Sequence, residues 1–319
     1  MKFSGHESFS LRYPWLPKAY RYLNDPNASG FQDDEAAMVA MGLGKNMVFA
    51  LRFWTEVFGL AVQTESRTLQ LTPFAHAIFG SGGLDPFLED PRTLWLLHWN
   101  LSVRPNDPLC AWDVLINRWP KTEFTRSEAL AAFLRESERQ QSSKQHSTVT
   151  LMQHFDVFLR TYVPSRSSTT NLEESLDSPL VELALIEQVG ERRTGADGKP
   201  EAVYAFRRAE KSDVTPELFT YCLERMFTDT SREEATRTFR QVAVEAYSPG
   251  QVFRLPEDDV RERLEAYTRR RNTSFTYQPS AVQSILIRKN AATKDTPVRQ
   301  EAQLLSLLHA VYQTEIAHD

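Results

Sequence analysis

Residues 33–71 have the sequence DDEAAMVAMGLGKNMVFALRFWTEVFGLAVQTESRTLQL, in which two helical segments are followed by two short apolar segments. The carboxylates at its start favour a helix over residues 33–41, because they complement the positive end of the helix dipole. Gly42 is suited to end that helix, and a second helix is predicted over residues 45–59. The tight turn between them indicates a helix-turn-helix.

The second helix has two distinct faces, and a hairpin follows it. Apolar residues recur on one face at helical spacing: Met47, Leu51, Trp54 and Phe58. Residues 60–62 and 68–71 are predicted to pair around a polar tip at 63–67, with a closing helix over 73–79. This order is that of a winged helix-turn-helix, whose second helix usually enters the major groove of DNA. Winged helices also serve as protein–protein modules, so the order alone leaves both uses open.

Four polar residues of this segment are candidates for DNA contact. Lys45, Asn46 and Arg52 lie off the apolar stripe of the second helix, and Arg67 lies in the hairpin tip. Cationic and amide side chains at such positions contact phosphate oxygens and base edges. We therefore expect this face to bind double-stranded DNA.

The remaining sequence predicts a mainly α protein with small β-hairpin wings, made of tandem winged helix-turn-helix units plus C-terminal helices. We divide it into an N-terminal aromatic segment with the first winged unit (1–120), a second helical and winged unit (121–212) and a C-terminal helical region (213–319). The second wing is expected from apolar runs at 180–189 and 202–206. Further helices are predicted over 127–140, 149–163, 216–227, 232–244, 256–269 and 301–317, the last as a docking or dimerisation helix. Polar linkers are predicted at 141–147, 164–175 and 291–297.

Composition limits the classes of function. The chain has 319 residues, a formal net charge of -5 and two cysteines. Cys110 and Cys222 lie in unrelated contexts, which excludes a disulfide framework and fits a reducing cytoplasm. No stretch reaches the ~20 apolar residues of a membrane span, so we expect neither secretion nor membrane insertion. The charge argues against a globally basic DNA binder but permits local patches, of which 207–211, 269–271 and 288–289 are examples.

No strong catalytic motif is present. The sequence lacks a GxxxxGK[ST] phosphate loop, a GxSxG nucleophile elbow and an HExxH zinc motif. These absences argue against nucleotide hydrolysis on a phosphate loop and against serine hydrolase chemistry. Phosphodiester hydrolysis remains possible, because carboxylates can hold Mg²⁺ or Mn²⁺ while a histidine handles protons.

Three acidic and histidine clusters suit that chemistry, and two of them have a clear structural alternative. The clusters are His6 with Glu7, Asp33 with Asp34 and Glu35, and Glu89 with Asp90 and His98. The carboxylates at 33–35 also suit a helix start, Asp90 suits a helix cap, and His98 suits a hydrogen-bonded core position. No structural requirement is evident for His6 and Glu7. We therefore predict His6 and Glu7 as catalytic residues, with Asp33 as a weaker third.

Four segments carry a resemblance to a bacterial family. They are FSGHESFSLRYPWLPKAY (3–20), GLGKNMVFALRFW (42–54), LDPFLEDPRTLWLLHW (84–99) and ESLDSPLVELAL (174–185). With them the chain resembles the uncharacterised-domain family encoded beside PAPS-reductase-like sulfur-transfer enzymes, and within it the SspB-type component of Ssp DNA phosphorothioation systems. The resemblance extends over nearly the whole chain.

This resemblance implies a function in anti-phage defence. Ssp-type systems replace a non-bridging phosphate oxygen with sulfur on one DNA strand, and the SspB-type component is regarded as the nickase, here a metal-dependent nicking endonuclease. The implied partners are a cysteine desulfurase, an ATPase and an ATP-pyrophosphatase-like sulfur-transfer enzyme. The alternative is a non-enzymatic DNA-binding adaptor or transcriptional regulator that recruits the modification enzymes, which agrees better with the lack of a catalytic motif.

Overall fold

The computed structural model describes residues 1–28, 30–140, 146–164, 178–193, 198–228, 235–270, 273–289 and 297–313. Helices and small antiparallel sheets make up its regular structure, which confirms the predicted mainly helical class. The chain separates into two compact units, Met1–Arg207 and Arg208–Asp319. The predicted linkers at 141–147, 164–175 and 291–297 lie mostly outside the described residues. The division into three regions at residues 120 and 212 stays a prediction.

The first part of the first unit begins with α1 (Trp15–Leu23), a helix that the sequence did not predict. The predicted elements follow it: α2 (Asp34–Met41), α3 (Lys45–Val57), β1 (Ala61–Gln63), β2 (Leu69–Leu71) and α4 (Pro73–Phe79). Strands β1 and β2 pair as an antiparallel hairpin. Asp33 caps α2, because its Oδ1 accepts a hydrogen bond from the backbone N–H of Ala36 at 3.0 Å. Gly42 ends α2 in the left-handed conformation at φ 64°.

The aromatic N-terminal segment is part of this core. Phe3 and Trp15 are buried, as is Trp54 of α3. The indole N–H of Trp54 donates to the carbonyl of Phe9 at 3.0 Å, which ties the segment to α3. Burial of these large rings helps to hold α1 and the N-terminal residues in place.

The rest of the first unit contains a three-stranded sheet. Its elements are α5 (Pro91–Ser102), a π-helix (Trp112–Arg118), β3 (Glu123–Thr125), α6 (Arg126–Arg139), α7 (Thr148–Tyr162), a 3₁₀ helix (Pro179–Leu183), β4 (Ile186–Arg193) and β5 (Pro200–Phe206). The sheet order is β3-β5-β4, and all pairs are antiparallel. A hairpin of β4 and β5 is therefore present where the second wing is predicted. Its first strand begins later than predicted, because Pro179 and the Ser178 cap start a 3₁₀ helix.

The second unit repeats this arrangement. Its elements are α8 (Pro216–Thr228), β6 (Thr236–Thr238), α9 (Phe239–Ala243), α10 (Pro249–Val252), α11 (Glu257–Arg269), β7 (Phe275–Gln278), β8 (Ile285–Arg288) and α12 (Pro297–Gln313). The sheet order is β6-β8-β7. In both three-stranded sheets, a strand that follows a helix pairs with the last strand of a later hairpin.

The prediction of a helix over 232–244 is wrong at residues 236–238. Thr236–Thr238 is a strand that pairs with β8, and the helix begins only at Phe239. Thr238 and Gln241 form a capping box, a local signal that starts a helix at that point. Strand β8 itself was not predicted. The terminal helix also begins earlier than predicted, and its Leu308 and Val311 are buried within the second unit.

No single helix among the described residues is long and apolar enough to span a membrane. Helices α2 and α3 have the required length and apolarity only when they are taken together, and their axes are bent by 91° at the turn between them.

Gly42 provides a test of the turn that orients α3. We expect Gly42→Ala to lower the free energy of unfolding of the first unit by about 1 kcal/mol, because an alanine Cβ disfavours the left-handed conformation. No other atom lies within 4 Å of the added Cβ, so the decrease reports backbone strain alone. All six tryptophans lie within residues 1–207, so urea unfolding followed by tryptophan fluorescence reports this unit.

Gly42→Asn is the matched control, since asparagine adopts the left-handed conformation more readily. Its decrease in unfolding free energy should be smaller than that of Gly42→Ala. Equal decreases for both variants would contradict the explanation from backbone strain.

Candidate functional site

The two faces of α3 differ in exposure much as predicted. Leu51, Trp54 and Phe58 are fully buried. Met47 is only half-buried, and Val48 takes its place in the core. Lys45 and Asn46 are exposed in the first turn, where the Gly44 cap provides no side-chain hydrogen bond. The start of α3 therefore presents a cation and an amide to solvent.

Lys45, Arg52 and Arg67 are held in different ways. The Lys45 Nζ lies 5.5 Å from the centroid of the Phe49 ring, in a cation–π contact. Arg52 is half-buried and forms an ion pair with Glu56 at 3.7 Å. Arg67 is exposed in the hairpin tip, and no ion-pair partner for it is seen among the described residues. Arg52 and Arg67 line one groove of about 730 Å³ beside α3.

His6 lies in a buried cluster at the N-terminus. Its relative exposure is 3%, and its Nε2 lies 3.1 Å from Nδ1 of His154 in α7. The ring meets Phe53 edge to face at 5.9 Å. Gly5 permits this packing, because a Cβ at that position would lie 2.6 Å from the Phe53 ring. His6 thus has a structural role that its sequence context did not indicate.

The contacts of the two histidine rings leave one of the two ring N–H protons without an acceptor. The Ala111 N–H donates to His154 Nε2 at 3.0 Å, so a neutral His154 carries its proton on Nδ1. The Ser8 N–H lies 3.2 Å from His6 Nδ1, which places the proton of a neutral His6 on Nε2. Both protons would then point into the same 3.1 Å gap. One of the two backbone N–H contacts must therefore be weakened, and the contact from Ser8 is the longer of the two. If the pair bound a third proton, that proton would have no acceptor.

Burial keeps both rings neutral. Burial, with a smaller contribution from the Arg160 charge, lowers the pKa of His6 from 6.5 to about 4. Burial also lowers the pKa of His154 well below its ordinary value, and the neighbouring His6 and His146 act in the same direction. The pair is thus uncharged at neutral pH.

Glu7 and Asp33 have different surroundings. Glu7 is exposed at φ 46°, next to Ser8 at φ 62°, in a turn closed by a hydrogen bond from Phe9 N–H to the His6 carbonyl at 2.8 Å. Asp33 is exposed and caps α2. Non-glycine residues at positive φ are uncommon and cost backbone free energy, so the Glu7–Ser8 turn is strained.

A metal ion does not fit the predicted residues as a closed protein site. Among the described residues, no group of three or more His, Cys, Asp or Glu side chains is placed to hold a metal ion. Both ring nitrogens of His6 face other groups of the protein. Magnesium, however, is often held by one or two carboxylates together with water and phosphate oxygens. Exposed carboxylates such as Glu7 and Asp33 fit only this open mode.

The other polar candidates have structural partners. Asp90 caps α5 and forms an ion pair with Arg92 at 2.6 Å. His98 is fully buried, and its Nδ1 lies 2.8 Å from the hydroxyl of Tyr162. Most cations of the basic runs also donate within the second unit: Arg208 to the Leu255 carbonyl, Lys211 to the Ala209 carbonyl, Arg270 to Glu217 and Arg288 to Glu224. These groups serve the fold.

Sequence reasoning missed His154 and the groove. His154 lies on the apolar stripe of α7 with Leu151, Phe155 and Phe158, and a histidine within such a stripe was the available signal. The groove residues Gln32, Gln63 and Ser66 are distributed between the α2 approach and the hairpin. No spacing rule brings such residues together before the fold is known.

Comparisons with known proteins give one family and two solved structures. The family model described as "Protein of unknown function (DUF4007)" matches residues 3–301. The chain is similar to an SspB crystal structure with a TM-score of 0.77 and 26% identity, covering 97% of this chain and 87% of that chain. It is also similar to a magnesium ion-bound SspB crystal structure, with a TM-score of 0.75 and 25% identity, covering 97% of this chain and 95% of that chain. These similarities confirm the SspB-type resemblance. A search of curated proteins gave no match.

The neutral histidine pair predicts an acid-labile first unit. We expect its free energy of unfolding to fall as the pH drops from 6.5 to about 4, because the unfolded chain binds protons that the folded His6 does not. His6 alone accounts for a decrease of up to about 3 kcal/mol, and His154 adds to it. Urea unfolding followed by tryptophan fluorescence across this pH range measures the effect.

His6→Gln should flatten this part of the pH profile. His309→Gln, a change at an exposed residue of α12 in the second unit, should leave the fluorescence-detected profile as it is in the wild type. A His6→Gln profile as steep as that of the wild type would show that His6 is not held neutral.

Proposed function

We propose that this chain, which belongs to the DUF4007 family, is a DNA-binding component of an Ssp-type DNA phosphorothioation system in the bacterial cytoplasm. The observation that carries the DNA-binding part is the polar face of α3 and its hairpin: Lys45 and Asn46 are exposed at the start of the helix, and Arg52 and Arg67 line one groove beside it. The similarity to SspB supports the system. Its proposed partners are double-stranded DNA, a cysteine desulfurase, an ATPase and an ATP-pyrophosphatase-like sulfur-transfer enzyme, with a homodimer as a further possibility.

The order of elements supports a winged-helix assignment for the DNA-binding face. Helices α1, α2 and α3 pack on one another and are followed by the β1–β2 hairpin. In a winged helix-turn-helix, the last helix enters the major groove with its N-terminal residues, and the wing contacts the neighbouring backbone. Lys45 and Asn46 would then meet base edges and phosphates, while Arg67 would meet the backbone.

We extend the winged-helix proposal to both three-stranded sheets. In each, a helix is followed by a strand, further helices and a hairpin, and the first strand pairs with the second strand of the hairpin. This order supports three tandem winged modules, ending at β2, β5 and β8. The sequence alone indicated only the first two.

The activity that we propose is nicking of DNA. A divalent cation, Mg²⁺ or Mn²⁺, would supply Lewis acid chemistry at the scissile phosphate. Glu7 and Asp33 are the candidate carboxylates, in the open mode that the exposed side chains permit. The magnesium ion in one SspB structure supports this proposal. The role of His6 is then to position the Glu7 turn, since its ring is buried against His154.

A non-enzymatic adaptor or regulator is the second candidate function. It is supported by the absence, among the described residues, of a cluster of three metal ligands. Such a protein would bind DNA through the same face of α3 and recruit the modification enzymes. The two functions share every DNA-binding residue and differ only in the need for Glu7.

Binding of duplex DNA tests the proposed face. We expect the double variant Lys45→Ala, Arg52→Ala to bind a labelled duplex more weakly, because each phosphate that the variant no longer neutralises keeps its condensed counterion. The slope of log K against log salt concentration should flatten by about 0.9 for each such phosphate. Asn46→Ala should alter sequence preference more than the slope, since its amide carries no charge.

Lys121→Ala is the matched control, because this exposed lysine forms an ion pair with Glu128 away from α3. Its slope should equal that of the wild type. An unchanged slope in the double variant would exclude this face as the DNA site.

Relaxation of supercoiled plasmid tests nicking. We expect the wild type to nick in Mg²⁺ or Mn²⁺ and to stop in EDTA, and Glu7→Gln to reduce the rate by roughly a hundredfold. Asp33→Asn should have a smaller effect, because asparagine preserves the helix cap. His6→Ala should lose nicking as well, but it also removes a buried ring and so lowers stability.

Asp90→Asn is the control for Asp33→Asn, because Asp90 is also a helix cap. It should nick as the wild type does. Full activity in EDTA would exclude the metal mechanism, and unimpaired nicking by the Glu7 and His6 variants would exclude this site. DNA binding without nicking under every condition would favour the adaptor.

A further inference from the structure

The groove beside α3 has the lining of an anion site. It measures about 730 Å³ and opens between the approach to α2, the α3 helix and the hairpin tip. Its polar lining residues are Arg52, Arg67, Gln32, Gln63, Ser66 and Asp34. Arg52 is paired with Glu56, whereas no ion-pair partner of Arg67 is seen among the described residues, so Arg67 is the cation whose charge an anionic ligand would neutralise.

Arg52 is oriented toward the groove by its own neighbours. One Nη1–H donates to the Phe31 carbonyl at 3.4 Å, and the Nε lies 3.7 Å from Glu56. A guanidinium has five N–H donors in a fixed plane, so donors remain for a ligand. The two contacts restrict the side chain before any ligand arrives, which lowers the entropy cost of binding.

Arg67 is placed at the groove by a strained turn. Its φ of 63° lies in the left-handed region, where glycine is the ordinary choice. The turn is held by a hydrogen bond from Arg67 N–H to the Thr64 carbonyl at 2.9 Å. A non-glycine residue in this conformation costs on the order of 1 kcal/mol. An arginine thus occupies a position at which the fold itself favours glycine.

The hairpin tip is fixed relative to the other side of the groove. Gln32 Nε2 donates to the Ser66 carbonyl at 3.1 Å, which joins the approach to α2 with the tip. The hydroxyls of Thr64, Ser66 and Thr68 form a closed set of contacts at 2.7–3.1 Å. The groove walls are therefore connected by hydrogen bonds.

We propose that this groove binds one phosphate group of a DNA strand, held between the guanidiniums of Arg52 and Arg67. Guanidinium groups match phosphate oxygens in bidentate geometry, and neutral amide and hydroxyl donors complete such sites. This inference rests on the proposed DNA binding and refines it. Arg52 and Arg67 would share a single phosphate and would not contact two separate ones. The phosphate is either internal to an intact strand or terminal at a nick.

A double-mutant cycle in the salt dependence of binding tests whether the phosphate is shared. The variants are Arg52→Gln, Arg67→Gly and their combination, and the probe is a fluorescein-labelled duplex bound to the full chain. Arg67→Gly removes the guanidinium while relieving the positive-φ strain, so its thermal stability should equal or exceed that of the wild type. With a shared phosphate, each single variant should weaken binding roughly tenfold but flatten the salt slope by much less than 0.9, because the remaining arginine still neutralises that phosphate.

The combined variant distinguishes the possible outcomes. With a shared phosphate, it flattens the slope by about 0.9, which is more than the sum of the two single variants, because only then does the phosphate lose both cations. An additive flattening of about twice that value would overturn the shared site while leaving the proposed DNA-binding face intact. An unchanged slope in every variant would overturn both. Arg139→Gln, at an exposed arginine on α6 outside the groove, is the control of equal charge and should bind as the wild type does.

Three duplexes identify the source of the phosphate: an intact one, one nicked with a 5′-phosphate and one nicked with a 5′-hydroxyl. Coupling between Arg52 and Arg67 on all three supports an internal phosphodiester. Coupling confined to the 5′-phosphate nick supports a terminal phosphate. Additive effects on all three duplexes would overturn the shared site for both sources.

Discussion

The edge-to-face contact between Trp54 and Trp112, with ring centroids 6.1 Å apart, connects the two halves of the first unit. Trp112 also meets Phe158 of α7 at 5.2 Å, so a continuous series of buried rings runs from α3 to α7. Each ring contributes a large buried apolar area, and the edge-to-face geometry adds a directional preference. The exposed face of α3 therefore keeps its orientation because the opposite face is fixed in this aromatic core.

The same core determines the environment of His6. The His154 ring contacts Trp112 at 5.9 Å, and its Nε2 accepts from the backbone of Ala111 beside that tryptophan. Water is excluded there, which explains both the depressed pKa values and the fixed position of His6. The His6 ring is uncharged at neutral pH, and both of its nitrogens face other groups of the protein. In the proposed nicking reaction, it is therefore the exposed neighbour Glu7, and not His6, that would contact the metal ion.

The sequence predicts the elements whose signals are local. Asp33 and Gly42 start and end α2 through contacts within a few residues, and the predicted bounds of that helix agree closely with the structure. Asp90 likewise caps α5, as its sequence context indicates. Strands β6 and β8 escaped prediction because each is short and is stabilised by pairing with a distant segment. The contact of His6 with His154 spans 148 residues, so no local pattern contains it. The candidate DNA-contact residues could be selected by helical spacing, whereas the groove that joins Arg52 to Arg67 depends on tertiary structure.

The proposed modules present helices of different charge, which would allow an acidic chain to bind DNA through one of them. Lys45 and Asn46 are exposed at the start of α3, whereas Glu257 and Asp258 are exposed at the start of α11 and Glu262 lies one turn further on. Carboxylates at this position repel phosphates, so α11 is unsuited to the groove of DNA even within a winged module. The overall charge of -5 therefore does not describe each helix. Because phosphate contacts depend on local charge within a Debye length of about 10 Å, the acidic total is compatible with the DNA binding proposed for α3.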